Sequence, residues 1–365
     1  MTDREPLTYA AAGVDVAAGE RAVAMMRAAV EATHDGRVLG GIGGFAGLWS
    51  LDAVDRGARH EPPGPPADRG AGPEPPGPPA AGGRVLAAAA DGVGTKLLVA
   101  QALDRHDTVG IDLVAMVVDD VVVTGATPLF VLDYLAVGRL DPRRVAAIVA
   151  GVADGCRLAR CALLGGETAE HPDAMAPDAY DLAGFAVGVV ERNRLLGPER
   201  VTAGDVLLGL AASGLHANGF SLARRALARA GVGYDQVVAE LGGPVGEALL
   251  TPTRIYAPDL VDLLAEGVEL HALCHVTGGG LPGNLPRCLP AGLVARVDRG
   301  AWTPPPIFRL LGALGPVDDD ELAGATNLGV GMVLVLPAAE AGRAAAFLDA
   351  RGLPAWVIGE VEAAA

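Results

Sequence analysis

The chain has 365 residues, 51% of them apolar and only 4% aromatic, with 44 acids against 28 cations and a formal net charge of −16. Two domains fit this length, each with a core built from alanine, valine and leucine rather than rings. The charge speaks against nucleic acid as a partner, and no apolar run or signal-peptide stretch points to a membrane, so a soluble cytoplasmic protein is expected.

In chain order, Val23, Met26 and Val30 recur at helical spacing and predict a helix over 19–33. Gly40-Gly41-Ile42-Gly43-Gly44 follows, too glycine-rich to hold one shape unaided. It reads either as a lid over a polyphosphate or as a merely mobile loop. Residues 57–83 repeat EPPGPPA without a sustained Gly-X-Y register, which predicts a disordered insertion in a surface loop.

The central stretch is VLAAAADGVGTKLLVAQAL, read as strand, tight turn and helix. Lys96 is the chain's sole lysine, a compact point charge where every other strong cation is arginine. With Gly92 and Gly94 permitting close backbone approach, Thr95 beside it and Asp91 offering a hard oxygen, the turn suits a phosphate and a magnesium ion. The competing reading is a capped turn with an exposed lysine. An acidic protein for phosphorylated ligands must in any case recruit Mg²⁺ and place its few cations locally.

The apolar stretch 109–123 carries Asp112, Asp119 and Asp120, a costly pattern if buried without partners. A divalent cation or exposure of one or two of these acids would meet the cost. A strand over 129–137, a helix capped by Asp141 and running to about Leu158, and a short buried strand 161–164 come next. Glu167 leaves that strand after Gly165-Gly166, placed to face a ligand. A long strand spans 180–191, and the turn-rich piece 192–204 is the expected domain boundary.

Beyond it lie a strand at 205–211 and a helix at 221–230, joined by Ser213-Gly-Leu-His216-Ala-Asn218-Gly-Phe. His216 and Asn218 thus precede a helix start, where they would bind an anion and move a proton, or simply serve the structure. Thr277-Gly278-Gly279-Gly280 offers free amides before a helix over 281–289. The remainder alternates strand 292–297, helix 305–314, strand 329–336, helix 338–351 and strand 355–360. Two αβ lobes result. The four cysteines, Cys156, Cys161, Cys274 and Cys288, form no CxxC pair and read as buried thiols rather than metal ligands.

Taken together, LTYAAAGVDVAAGE, GGIGGF, DGVGTK, HDTVGIDLVAM, LLGGETAEHP, SGLHANGFSL, LTPTRIY, CHVTGGGLPGNLPR and NLGVGM resemble the phosphoribosylformylglycinamidine cyclo-ligase family, nearly end to end. The resemblance implies ATP-dependent closure of formylglycinamidine ribonucleotide to aminoimidazole ribonucleotide in purine biosynthesis. The formyl oxygen is phosphorylated, and an amidine-side nitrogen then displaces phosphate. It implies an α/β fold of α+β type: two αβ lobes with mixed or antiparallel sheets, the N-terminal sheet forming a dimer interface and the C-terminal lobe an αβ sandwich. Residues 1–192 would bind ATP and dimerise, and 193–365 would bind substrate. Asp91, Asp120 and Glu167 align with the family's metal and nucleotide acids, Lys96 with its phosphate-facing lysine, and Gly40, Gly41, Gly43 and Gly44 with its mobile loop. Ser213, His216, Asn218, Thr277, Gly278 and Gly279 fall on the substrate side, with His216 as the candidate for proton transfer. Ala90, Ala217, Gly324 and Thr326 depart from the family's usual residues, and Asp119 stands where some relatives have asparagine. Related enzymes of the same superfamily, or a silent nucleotide-binding dimer, are the rival readings.

Overall fold

A computed structural model of the chain describes residues 7–51 and 83–364. Residues 57–82 of the proline-rich insertion lie outside them. The first lobe contains α1 (Val16–Glu31), β1 (Val38–Leu39), β2 (Gly47–Ser50), β3 (Arg84–Gly92), α2 (Leu97–Leu103), α3 (Val109–Val122), β4 (Thr127–Val137), α4 (Pro142–Ala159), β5 (Ala162–Glu170) and β6 (Tyr180–Glu191). Its strands form a mixed sheet in the order β1-β2-β3-β6-β4-β5, with β4 and β5 the parallel pair.

The second lobe runs through β7 (Val206–Ala211), α5 (Phe220–Ala230), β8 (Val237–Val238), β9 (Gly243–Pro244), α6 (Val245–Leu250), α7 (Ala257–Ala265), β10 (Ala272–His275) and α8 (Gly280–Asn284). It continues with β11 (Leu293–Val297), α9 (Pro306–Leu314), α10 (Asp319–Ala325), β12 (Val330–Leu336), α11 (Ala338–Asp349) and β13 (Ala355–Ala363). Five of these strands form an antiparallel sheet, β10-β12-β7-β13-β11. The two αβ lobes expected from the sequence are therefore present. No helix among the described residues is long and apolar enough to cross a membrane.

The helix that places the site is α3. Small residues let it approach its neighbours closely: a Cβ on Gly184 would meet Leu113 at 3.0 Å, one on Gly188 would meet Val121 at 2.4 Å, and one on Gly110 would meet the Val152 backbone at 2.1 Å. Leu113, Val117 and Val121 are fully buried, and the apolar core continues from them without a break to Leu208, Leu210 and Tyr256 of the second lobe. Asp141 caps α4 as expected, accepting from the amides of Arg143 and Arg144.

Two local expectations are overturned. The predicted short buried strand at 161–164 is instead the nine-residue edge strand β5, which absorbs Gly165 to Glu170 and is largely exposed, because it pairs with β4 alone. The helix expected over 281–289 stops at Asn284 and tightens into a 3₁₀ turn over Leu285–Cys288, where Pro286 lacks the amide that would continue the α-helical ladder.

Candidate active site at the lobe junction

Strand β3 alternates buried Val85, Ala87 and Ala89 with more open residues, and this alternation turns Asp91 to the inner face, toward α3. Burial pushes the Asp91 carboxyl upward, against the Gly92 amide that donates to it at 2.7 Å. Asp91 also feels the charge of Asp120 and those of His275 and Arg287. Asp120 comes from the last turn of α3, and His275, at the end of β10, holds it through Nδ1 at 2.8 Å. Burial lowers the His275 pKa, but the hydrogen bond and charge of Asp120, backed by Asp119 and Asp91, outweigh it and raise the value overall.

Arg287 closes this cluster from the second lobe. It donates at 3.0 Å to both the Gly44 carbonyl and Asn284 Oδ1, and its guanidinium lies 3.8 Å from the Phe45 ring centre. Asn284 Nδ2 in turn donates to the carbonyls of Thr277, Gly278 and Gly280. One cation thus ties the glycine loop to the Thr277–Gly280 turn. Gly40 and Gly43 have φ of 76° and 114°, which a side chain would resist. Asn218 lies close to Gly278, whose added Cβ would come within 3.3 Å of its Oδ1.

Two of the three acids on α3 are held by protein groups rather than by a divalent cation. Asp112 receives Lys96 Nζ at 2.7 Å, with the Thr253 amide and hydroxyl at 2.8 and 2.6 Å. Asp119 accepts from the Tyr256 and Ala257 amides at 2.8–3.1 Å. Burial still pushes its pKa up to about 7. Of the three, only Asp120 keeps some exposure to solvent.

Lys96 is not the exposed turn lysine of the competing reading, and the side chain expected to face a phosphate is turned inward. It is fully buried, and its three ammonium protons go to Asp112, to the Thr251 carbonyl at 2.7 Å and to the His216 carbonyl at 3.1 Å. Burial drives the lysine pKa down and the aspartate pKa up, but three acceptors around one nitrogen specify the ammonium form. The turn over Gly94–Lys96 is a 3₁₀ turn that swings this residue inward, leaving Gly94 exposed and Thr95 half-buried.

His216 is likewise inside the lobe. Its Nε2 accepts from the Ser213 amide at 3.2 Å, so the proton of the neutral ring sits on Nδ1, which is buried without a partner among the described residues. Burial, reinforced by His275, Lys96 and Arg254, holds its pKa well below the usual value. Gly331 is the floor on which it packs: a Cβ there would meet His216 at 2.4 Å and Tyr256 at 2.2 Å. The imidazole expected to face substrate instead supports the turn. Ser213 Oγ donates to the Pro252 carbonyl at 2.7 Å, anchoring the same turn.

Glu167 does not join Asp91 and Asp120 within one chain. The register Gly92–Ala183–Tyr134–Glu167 puts it on the outer sheet face, three inter-strand spacings or about 14 Å from β3. Among the described residues no group of three or more His, Cys, Asp or Glu is arranged to hold a metal ion. His275 and Arg287 are the junction residues that sequence reasoning passed over, although both lie inside CHVTGGGLPGNLPR.

Comparison with known proteins bears on what this junction does. Residues 79–190 match the family described as AIR synthase related protein, N-terminal domain, and residues 202–365 its C-terminal domain. The chain is 50% identical over 357 residues to a phosphoribosylformylglycinamidine cyclo-ligase of Sorangium cellulosum, covering 97% of this chain and 95% of that protein. It is 47% identical over 354 residues to the protein of that name from Geobacillus thermodenitrificans, again with 97% and 95% coverage. Among solved structures, hydrogenase maturation protein HypE in complex with ATP shares the fold, with a TM-score of 0.55 and 20% identity over 76% of this chain and 77% of that one.

Proposed function

Because the chain belongs to the phosphoribosylformylglycinamidine cyclo-ligase family, we propose that its lobe junction carries out that family's chemistry, with Asp91 and Asp120 on the nucleotide side. The activity is the ATP-dependent cyclisation of formylglycinamidine ribonucleotide to aminoimidazole ribonucleotide, with release of ADP and phosphate, in purine biosynthesis. The observation that carries the site assignment is the cluster of Asp91, Asp120, His275 and Arg287 beneath the glycine loop.

The chemical need is clear: an amide oxygen leaves poorly until it carries a phosphoryl group, so the protein must position two substrates and manage charge. Two carboxylates on one side of the junction fit magnesium, which takes one or two protein acids and fills its octahedron with water and phosphate oxygens. When bound, the ion would draw charge from the transferring phosphoryl group. His275 orients Asp120 by donating to one of its oxygens, leaving the other for the ligand. Arg287 offsets negative charge at Asp91 and holds the glycine loop over the site. Gly92 and Gly94 let the backbone come close, and Asn218 with Thr277–Gly279 supplies neutral donors and acceptors on the substrate side. Lys96 and His216 act as positioning residues, since the Lys96 ammonium joins the DGVGTK turn to the carbonyls of His216 and Thr251.

A homodimer completes this reading. The outer face of the first sheet exposes Leu164, Tyr134 and Phe185, large apolar residues on three adjacent strands, and Glu167 shares that face. A second copy packed there would bury the patch and bring Glu167 toward the partner's junction. Residues 1–192 then carry ATP binding and dimerisation, 193–365 carry substrate binding, and the cytoplasm is the expected place of work. The direct test is to supply purified protein with ATP, magnesium and formylglycinamidine ribonucleotide and to follow aminoimidazole ribonucleotide. Asp120→Asn should abolish product while the protein still folds, as read by circular dichroism; full turnover in that variant would remove the acid from the site.

A further inference from the structure

Two of the four cysteines meet at the end of α4. The helix stops there because Arg160 turns into the left-handed region, with φ of 57°, and the chain doubles back. The Arg160 amide donates to the Arg157 carbonyl at 3.2 Å and the Cys161 amide to the Cys156 carbonyl at 3.0 Å, the paired bonds of a Schellman cap. Such a cap lays the residue after the turn on the residue five positions earlier, a contact usually made by apolar side chains. Here both are thiols, and the Cys156 S–H bonds to the Cys161 sulfur. A backbone bond of this length keeps the two Cα atoms within the roughly 4.4–6.8 Å that a disulfide spans.

The two thiols are not equivalent. Cys156 is buried, and Cys161, between α4 and β5, is only half-buried and open to solvent. The hydrogen bond from Cys156 outweighs burial and lowers the Cys161 pKa; the same bond, with burial and the charge of Asp133, raises that of Cys156. Cys274 and Cys288 offer a comparison. They also neighbour each other, but both are buried inside the second lobe, where Cys288 Sγ donates to the Leu285 carbonyl at 3.1 Å.

We propose that Cys156 and Cys161 form a reversible redox site that reacts with hydrogen peroxide, Cys161 as the attacking sulfur and Cys156 as the resolving one. The Cys161 thiolate attacks one peroxide oxygen, the O–O bond breaks, and the leaving hydroxide takes a proton to become water. Cys161 is then a sulfenic acid. Cys156 attacks its sulfur, the S–S bond forms as the S–O bond breaks, and the hydroxide leaves with the Cys156 proton as a second water. Two thiols are oxidised to one disulfide, and one peroxide is reduced. Without a resolving thiol, the sulfenic acid would go on to the irreversible sulfinate. That would fix a charge at the cap from which Arg160 reaches Asp262 of α7, at 2.9 Å to each carboxylate oxygen.

The test treats purified protein with hydrogen peroxide, blocks the remaining thiols by alkylation and digests with trypsin, which cuts after Arg157 and Arg160 and so separates the two cysteines. Residues 145–157 should appear joined to residues 161–192, two of the four thiols should be lost to titration, and dithiothreitol should restore both. In Cys156→Ser the joined peptide should vanish and Cys161 should take up dimedone, a reagent for sulfenic acids. In Cys161→Ser neither the joined peptide nor a dimedone adduct at Cys156 should form. A wild type that yields no joined peptide, that labels Cys161 with dimedone without closing the bridge, or that joins the peptides of Cys274 and Cys288 first overturns the assignment. The wild-type peptide map decides even if a variant fails to fold. It is read without turnover, so its failure would leave the ring-closure reading untouched.

Discussion

Replacing Lys96 by alanine should cost the fold far more than removing a surface cation. The substitution deletes three hydrogen bonds, two to backbone carbonyls and one to Asp112, and strands that carboxylate where both partners have no solvent exposure. Breaking a buried pair from one side costs about 3–5 kcal/mol, against roughly 0.5 kcal/mol or less for an exposed lysine. At about 2–4 °C per kcal/mol for a domain of this size class, melting should fall by roughly 10 °C. Differential scanning calorimetry on the apo protein reads this without any assumption about activity. Adding Asp112→Asn to Lys96→Met removes the stranded charge while keeping an acceptor for Thr253, so the double variant should recover more than half of the loss. A Lys96→Ala protein melting within about 2 °C of wild type would refute the argument, because it would mean the pair is not closed to water.

Arg287→Ala should free the Gly40–Phe45 loop: faster limited proteolysis there and a several-fold higher KM for ATP, with little change in melting because the arginine is exposed. Unchanged cleavage would show that stacking on Phe45 does not hold the loop. The depressed pKa of His216 has a definite sign: below about 6.5 the unfolded chain binds a proton that the folded one refuses, so stability falls as pH drops from 7 to 5. Denaturant titrations should show a shallower loss for His216→Asn over that range, and parallel curves would remove the residue from the acid response. Gly280→Ala places a Cβ 1.8 Å from the Ala323 carbonyl at a φ of 58°, and should give little folded protein; normal yield and melting would mean α10 moves aside freely. Tyr134→Glu should shift the species seen by light scattering from dimer to monomer, and an unshifted mass would place the interface elsewhere.

Local pattern carried the elements; long-range pairing decided the site. The strand, turn and helix around Asp91 follow from apolar runs broken by glycine, and β3, the Gly94–Lys96 turn and α2 follow that order. The burial of Lys96 depends on carbonyls 120 and 155 residues away, which no window along the chain contains. The acids of α3 mislead for the same reason: their donors, Thr253, Tyr256 and Ala257, lie in the other lobe. Some omissions were avoidable. Asp318 followed by Glu321 is a helix-start signature, with the Asp318 side chain accepting from the Glu321 amide at 2.8 Å, and it announces α10. Pro258 at the first turn of α7 is a similar marker. His275 and Arg287 stand inside a glycine-rich run that drew attention for its amides alone.

The way α3 is gripped bears on how this enzyme unfolds and how it works. Asp112, Asp119 and Asp120 are each answered by groups that follow residue 250, so a polypeptide severed after Arg192 leaves its first fragment with Asp119 and Asp120 orphaned, Asp112 held by Lys96 alone, and half an oily interior. Such fragments would fold only on meeting each other, and the intact protein would melt in a single endotherm rather than in two steps. Catalytic opening and closing therefore falls to small peripheral pieces, while the two halves turn over as one block.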